Sequence, residues 1–133
     1  MSNKKLGSDF ERQLAKIMDA YGFWVHIMAQ NEAGQPFDLI AARNGKVYPI
    51  DCKVCANDYF RFERVEDNQR FSMMKWKMKG NGHGWFALKL SNGDIYMVSA
   101  ASIQQCSEDG LHTMTGRAIQ TYGFLFEEWV EIY

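Results

Sequence analysis

The stretch from Pro36 to Lys53 constrains the fold more than any other part of the chain. Two apolar segments flank the dipeptide Asn44-Gly45, and Asn-Gly between apolar runs is the strongest short-range signal for a two-residue hairpin turn. We therefore predict two antiparallel β-strands joined at this turn. Because a hairpin turn fixes the register of both strands, it also decides which side chains share a face of the sheet.

Side chains alternate between the two faces of a strand. In the second strand of the hairpin, Asp51 and Lys53 lie on one face and the apolar residues between and beside them lie on the other. In the first strand, Asp38 is expected to share its face with Ile40, opposite Leu39. Two carboxylates and an ammonium group can therefore converge on one face. Asp is poorly suited to strand centres, so two of them there indicate a function.

Composition and charge limit the class of protein. The length of 133 residues predicts a single domain over residues 1–133, and the 47% hydrophobic and 23% charged fractions are ordinary for a soluble globular protein. The polar start from Met1 to Lys5 predicts no signal peptide, and the three cysteines favour a reducing compartment over a disulfide framework. We expect a cytoplasmic protein, bacterial or made by a phage in its host. The net charge of −1 requires any nucleic-acid contact to use a local basic patch.

Helices and further strands are predicted on both sides of the hairpin. Ser8-Asp9-Phe10-Glu11 has the form of a capping box with Ser8 as the N-cap, and Gly22 ends this first helix. Phe71, Met74 and Met78 are predicted to share one side of a second helix, and Met73, Met74 and Met78 are predicted to be core residues. The remaining predictions are strands over 23–29, 85–90 and 95–98, an extended 59–62, turns over 31–35, 80–84 and 91–94, the second helix over 64–79, a short helix over 100–106, and a helix or strand over 124–133. This order predicts an α/β or α+β fold, with helices packed on a largely antiparallel sheet.

The two acids and the lysine are suited to phosphodiester hydrolysis. This reaction needs an activated water and relief of negative charge on the leaving oxygen, and carboxylates that hold Mg²⁺ supply both. Asp38 and Asp51 are candidate ligands, and the main-chain carbonyl of Cys52 is a plausible further one. A lysine at position 53 can orient or deprotonate the water. The alternative for Asp51 and Lys53 is a solvated pair on an exposed strand face.

The same residues carry a family resemblance. Gly7-x-x-Phe10-Glu11, Pro36-Phe37-Asp38, Asp51-Cys52-Lys53 and Gln69, in this order, resemble the PD-(D/E)XK nuclease superfamily. The resemblance is greatest to its Holliday-junction resolvase branch, including the form found in Gram-positive bacteria and their phages. It covers about residues 7–98, and its specificity comes from the ordered set. It implies a restriction-endonuclease-like core, with a central mixed β-sheet that contains an antiparallel meander and is flanked by helices.

The resemblance also implies roles for individual residues. Asp38 and Asp51 would bind Mg²⁺, for which Mn²⁺ can substitute, and Lys53 would act on the attacking water. Glu11 would be an additional acid that reaches the metal, often through water, and Gln69 would reach the site from the second helix. Glu11 has a rival explanation as the last residue of the capping box, and Gln69 has one as a solvent-facing helix former.

Binding to DNA would depend on a set of basic residues that follow the hairpin. Lys and Arg neutralise phosphates and supply affinity without reading sequence. The alternative is an ordinary solvated helix face, since acids dilute the patch. The candidates are Arg61, Arg64, Arg70, Lys75, Lys77 and Lys79.

Two further interpretations concern assembly and another metal. The resemblance implies a homodimer, because a four-way junction needs two symmetric cuts. Its surface could be the aromatic tail of Phe124, Phe126 and Trp129, although burial in the monomer core explains that tail equally well. A zinc site is the competing metal interpretation, with ligands from Cys52, Cys55, Cys106, His83 and His112.

Two alternative functions stay open beside the resolvase. The first is another PD-(D/E)XK DNase, acting in restriction, repair or replication. The second is a non-catalytic nucleic-acid-binding protein of the same fold, which the complete set of Glu11, Asp38, Asp51 and Lys53 argues against.

Overall fold

The computed structural model of the protein describes residues 3–30 and 34–133. The helices are α1 (Asn3–Ala20), α2 (Asp67–Met78), α3 (Ala100–Glu108), α4 (Gly116–Tyr122) and α5 (Phe126–Ile132). The strands are β1 (Trp24–Ile27), β2 (Leu39–Arg43), β3 (Lys46–Cys55), β4 (Tyr59–Arg61), β5 (Trp85–Leu90), β6 (Ile95–Ser99), β7 (Thr113–Thr115) and β8 (Phe124–Leu125).

Six strands of the described residues form one mixed sheet in the order β1-β2-β3-β5-β6-β8. The β1-β2-β3 meander is antiparallel, β3 and β5 pair in parallel, and β5, β6 and β8 are again antiparallel. Strands β4 and β7 form a separate antiparallel pair. This architecture confirms the predicted fold class, a mixed sheet with an antiparallel meander.

The Asn44-Gly45 turn forms as predicted. Asn44 has φ 54° and Gly45 has φ 79°, and a type I′ hairpin turn requires positive φ at both central residues. The register pairs Leu39 with Ile50. The next step of the same register places Asp38 and Asp51 opposite each other, on the face that the alternation predicted.

Helices cover both faces of the sheet, so the core has two layers. On one face, α1 and α5 pack over a buried cluster that includes Phe10, Leu14 and Trp129. On the other face, α2, α3 and α4 cover a second cluster with Met73 and Ile119 at its centre. The sheet is buried on both sides, which explains why its central strands are almost continuously apolar.

The predicted capping box at Ser8 is wrong. Helix α1 already includes Asn3, so Ser8 and Glu11 both lie inside it. Lys5 forms an ion pair with Asp9 at 3.2 Å, which is the i, i+4 spacing that stabilises a helix across the predicted start. The end of the helix agrees with prediction, because Gly22 follows the last turn with φ 91°. Glu11 therefore has no capping role at a helix start.

The second helix is shorter than predicted, and its inward side is different. It begins at Asp67, after a 3₁₀ turn over Phe62–Arg64. Gln69 and Met73 are buried, whereas Phe71, Met74 and Met78 are 57%, 47% and 79% exposed. The predicted apolar side thus faces solvent, and Met74 and Met78 are not core residues. The apolar spacing was misleading because a polar residue, Gln69, is on the buried side.

The remaining elements agree with prediction in type more often than in length. The first strand is confined to Trp24–Ile27, and the predicted turn over 31–35 lies partly outside the described residues. Helix α3 continues to Glu108, and the tail is a short strand followed by a helix. Elements β7 and α4 were not predicted. Among the described residues, no helix is long and apolar enough to cross a membrane.

Candidate active site

A pocket of about 980 Å³ opens where β2 begins and β3 passes beneath the first turn of α2. Glu11 lines it from α1, Asp38 from the residue before β2, Lys53 from β3 and Gln69 from α2. Asp51 lies beneath this group and is fully buried. The structure therefore brings together the five side chains that the sequence analysis singled out as a site.

Asp38 is held at the point where the antiparallel ladder ends. Its Oδ2 accepts a 2.7 Å hydrogen bond from the main-chain N–H of Cys52, which lies two residues past Ile50, the last residue of β3 that pairs with β2. Its Oδ1 accepts a 3.0 Å bond from Nε2 of Gln35. The carboxylate thus extends the ladder at the end of a strand, where groups from both layers of helices can approach it.

Asp51, Lys53 and Gln69 form one connected group. Oδ1 of Asp51 accepts a 2.8 Å bond from Nε2 of Gln69, and Oδ2 of Asp51 lies 3.1 Å from Nζ of Lys53. Oε1 of Gln69 in turn accepts from Lys53 at 3.4 Å and from the main-chain N–H of Glu66 at 3.3 Å. Gln69 is therefore a capping-box residue of α2, and it also hydrogen-bonds the two charged side chains of β3, Asp51 and Lys53.

Burial, together with the charge of Asp38, raises the pKa of Asp51 and of Glu11. Burial raises the pKa of Asp51 well above its usual value, an effect that Lys53 opposes and Asp38 increases. Burial, together with the charge of Asp38 and a hydrogen bond to it, raises the pKa of Glu11 to about 7. Carboxyl groups this close cannot all ionise without an opposing charge. If all three acids were ionised, the site would carry excess negative charge that Lys53 only partly balances.

The donor set fits a hard divalent cation. Asp51 Oδ2 is buried, and Nζ of Lys53 lies 3.1 Å from it; a carboxylate oxygen has a second lone pair, which remains for a cation. In residues 3–30 and 34–133, no three His, Cys, Asp or Glu side chains are arranged so that they could hold a metal ion by themselves. Mg²⁺ does not need such a set, because it is usually held by one or two carboxylates with water and substrate phosphates completing its shell.

The predicted basic residues divide into two that line the pocket with the acids and four that do not. Arg61 and Arg64 line the pocket with the acids, and Lys4 lies there too. Arg70 and Lys77 instead line a separate groove between α2 and α3. Lys75 on α2 and Lys79 just after it are exposed and belong to neither lining. The structure thus places only the two arginines that precede α2 beside the acids.

The zinc interpretation does not agree with the structure. Cys52 belongs to the buried cluster on the α1 face. Cys55 and Cys106 belong to the cluster on the opposite face. Residues three apart on a strand point to opposite faces, so the C-x-x-C pair is divided by the sheet.

The aromatic tail is part of the core. Phe126 and Trp129 are 1% and 0% exposed, and Trp129 stacks on Phe23 with ring centroids 5.8 Å apart. Burial within one chain, the alternative that the sequence left open, is what the structure shows.

Sequence reasoning missed the residues that support the acids from the loop before β2. Gln35 donates directly to Asp38, and Asn68 donates to the main-chain oxygen of Gln35 at 2.7 Å. Tyr59 also lines the pocket. Glutamine and asparagine in a loop and at a helix start are common, and no spacing marked these two as neighbours of the site.

The fold and this group of side chains define the class of protein as a PD-(D/E)XK nuclease-like domain. The family whose sequence profile matches is described as archaeal Holliday junction resolvase (Hjc), and the match covers residues 2–131. The chain therefore belongs to the archaeal Hjc family. The predicted form from Gram-positive bacteria and their phages is not supported, because the matching family is the archaeal one.

The chain is similar to one curated protein in sequence and to one solved structure in fold. The crossover junction endodeoxyribonuclease Hjc of Methanocaldococcus jannaschii is 28% identical over 93 residues, which cover 70% of this chain and 65% of that protein. The match therefore spans less than two thirds of the relative's length. The 1.6 Å structure of Archaeoglobus fulgidus Hjc, a Holliday junction resolvase from a hyperthermophile, superimposes with a TM-score of 0.70 at 17% identity. That comparison covers 94% of this chain and 95% of the other, and it shows a shared fold.

Proposed function

We propose that this protein is a metal-dependent endonuclease that hydrolyses phosphodiester bonds in branched DNA, with the four-way junction as its substrate. The observation that carries the proposal is the meeting of Glu11, Asp38, Asp51 and Lys53, from three separate elements, around one open polar pocket. Membership of the archaeal Hjc family supports the choice of substrate. We propose that it acts in the cytoplasm, where the DNA of an archaeal cell lies.

Each side chain has a distinct task in this proposal. When bound by Asp38, Asp51 and the main-chain carbonyl of Cys52, Mg²⁺ or Mn²⁺ supplies charge neutralisation and a more acidic water. Lys53 orients the attacking water, because its ammonium group is held between Asp51 and Gln69. Glu11 accepts a proton or binds through water from the α1 side. Gln69 fixes the position of the Asp51 carboxylate relative to the Lys53 ammonium group, because it hydrogen-bonds both.

Arg61 and Arg64 are the proposed phosphate contacts closest to the chemistry. Both border the pocket, and Arg61 is weakly paired with exposed Glu63 at 3.7 Å, so a phosphate can replace that partner at little cost. Lys75 and Lys79, which lie outside the groove between α2 and α3, would contact DNA farther from the cut. Such contacts supply affinity that does not depend on base sequence.

We also propose a homodimer, with a surface that differs from the predicted aromatic tail. Phe71, Met74 and Met78 are large apolar side chains exposed on α2. Met74 and Met78 border an apolar groove of about 420 Å³ between α2 and α3. Exposed apolar surface of this kind marks an interaction site, and a second copy of the chain would give the two-fold symmetry that paired cuts require.

Cleavage of a labelled synthetic four-way junction tests the function. We expect paired symmetric nicks in Mg²⁺, with linear duplex and single strands left intact, and none in EDTA. Asp51→Asn is the inactive comparison, because it keeps the shape of the side chain and removes its charge. Cutting of all three substrates would make the protein a general DNase. Junction binding with no cutting in Mg²⁺ or Mn²⁺ would make it a non-catalytic binding protein.

A further inference from the structure

The loop that precedes β2 is attached to the first turn of α2. Nδ2 of Asn68 donates a 2.7 Å hydrogen bond to the main-chain oxygen of Gln35. The side chain of the same glutamine donates to Oδ1 of Asp38 at 3.0 Å. A continuous path of two hydrogen bonds therefore joins the helix to the carboxylate of Asp38.

The contact is tightly packed as well as hydrogen-bonded. Gly34 has φ +82°, and a Cβ at this position would lie 2.7 Å from Nδ2 of Asn68. Only glycine adopts this conformation without strain and leaves the space that the asparagine amide occupies. The close approach makes it possible for a short side chain to reach the next carbonyl along the loop.

Two adjacent residues of α2 thus hold the two central acids. Gln69 donates directly to Asp51 at 2.8 Å, and Asn68 acts on Asp38 through Gln35. The two carboxylates come from different strands and repel each other when ionised, so their separation needs an external support. One rigid helical turn provides it for both.

We infer that Asn68 and Gln35 are positioning residues that set the Asp38 carboxylate against Asp51, and so set the geometry at which the site takes up a divalent cation. The effect on the cation depends on the proposed function, whereas the effect on Asp38 does not. Supporting contacts of this kind typically change metal affinity by about 10- to 100-fold when lost.

Asn68→Asp separates this role from a purely structural one. The substitution keeps the size of the side chain and replaces the donor amide by an acceptor, which repels the main-chain oxygen of Gln35. An acid in the first turn of a helix interacts favourably with the helix dipole, so the free energy of unfolding should not fall. Gln35→Met breaks the second link of the path. Asn81→Asp is the matched control, because Asn81 donates in the same way to the oxygen of Trp76, beyond the other end of α2.

The position of Asp38 can be read without metal or DNA. The Cys52 N–H donates to Asp38 Oδ2, so its hydrogen exchange, measured by NMR on ¹⁵N-labelled protein in EDTA, reports on that carboxylate. The N–H of Ala87, which pairs with Cys52 across β3 and β5, reports on opening of the sheet and serves as the internal reference. Titration of Mn²⁺ alone into the same proteins by calorimetry measures cation affinity.

We expect Asn68→Asp and Gln35→Met to speed exchange at Cys52 by about fivefold relative to Ala87, and to weaken Mn²⁺ binding by about tenfold. Asn81→Asp should change neither. Unchanged relative exchange at Cys52 in both variants would overturn the inference, whatever the activity. So would faster exchange with wild-type Mn²⁺ affinity, because the cation site would then not depend on the position of Asp38. A wild-type protein that binds no Mn²⁺ and cuts nothing, but whose Cys52 exchange responds as expected, would support the positioning role and refute the proposed function.

Discussion

Replacing Glu11 by Gln should stabilise the metal-free protein at high pH. Glu11 is half-buried on α1, and its carboxyl group lies against Asp38, which with burial raises its pKa from 4.5 to about 7. Because the pKa is higher in the folded state, the folded protein binds this proton more tightly than the unfolded chain. Its contribution to stability is therefore complete below about pH 4.5 and is lost as the pH rises through about 7.

The size of the effect follows from that rise. A change from 4.5 to about 7 corresponds to roughly 3 kcal/mol between the two protonation states. Glu11 remains partly exposed, and solvent screens its interaction with Asp38, so we expect about 1 kcal/mol in practice. Glu11→Gln should thus be about 1 kcal/mol more stable than wild type at pH 8 and close to wild type at pH 5.

Urea unfolding in EDTA at the two pH values measures this difference. Glu131→Gln, an exposed change on α5, is the matched control and should behave as wild type. Ser8→Ala adds a second comparison. If Ser8 capped the helix, this change would lower the free energy of unfolding by about 1 kcal/mol. Because Ser8 lies inside α1, we expect almost no change in the free energy of unfolding. If the Glu11→Gln protein were no more stable than wild type at pH 8, the inferred repulsion between the ionised carboxylates of Glu11 and Asp38 would be refuted. The same variant should cut the junction about 10- to 100-fold more slowly.

Three further predictions concern binding, assembly and the core. Arg61→Ala should weaken junction binding in EDTA, measured by fluorescence anisotropy, and reduce the salt dependence of binding by about one phosphate contact. An equally large effect of Lys79→Ala would contradict the division between basic residues that line the pocket and those that do not. Met78→Glu should convert a dimer to a monomer in sedimentation velocity while leaving the circular dichroism spectrum unchanged; a wild-type monomer would refute the proposed dimer. Trp129→Ala should cost about 4 kcal/mol in urea unfolding, since the side chain is fully buried, and a loss below about 1 kcal/mol would show that the tail does not contribute to the core.

Local patterns predicted the parts of the fold that depend on neighbouring residues. Positive φ at Asn44 and Gly45 is a property of two adjacent residues, and the hairpin they form decides that Asp38 and Asp51 share a face. Strand alternation needs no information from elsewhere in the chain. The central strands and the meander were accordingly predicted in type and order.

Local patterns failed where contacts outside the recognised pattern decided the outcome. Ser8 and Glu11 have the spacing of a capping box, but the i, i+4 pair of Lys5 and Asp9 lies within the helix and the true start is earlier. The apolar residues of α2 follow helical spacing, yet the helix turns Gln69 inward because that side chain has partners on β3. A buried polar group is costly without such partners, and only the folded chain shows that they are present.

The sequence by itself determined the hairpin, its register, and the set of acids and lysine that belong to one face. Only the tertiary structure shows that Glu11 lies beside Asp38 at the pocket, that Gln69 contacts both Asp51 and Lys53, and that Asn68 donates to Gln35, which in turn donates to Asp38. The physical reason is the range of the interactions. A turn or an alternating strand depends on residues a few positions apart, whereas a carboxylate's partners are set by the packing of helices and strands far apart in the chain.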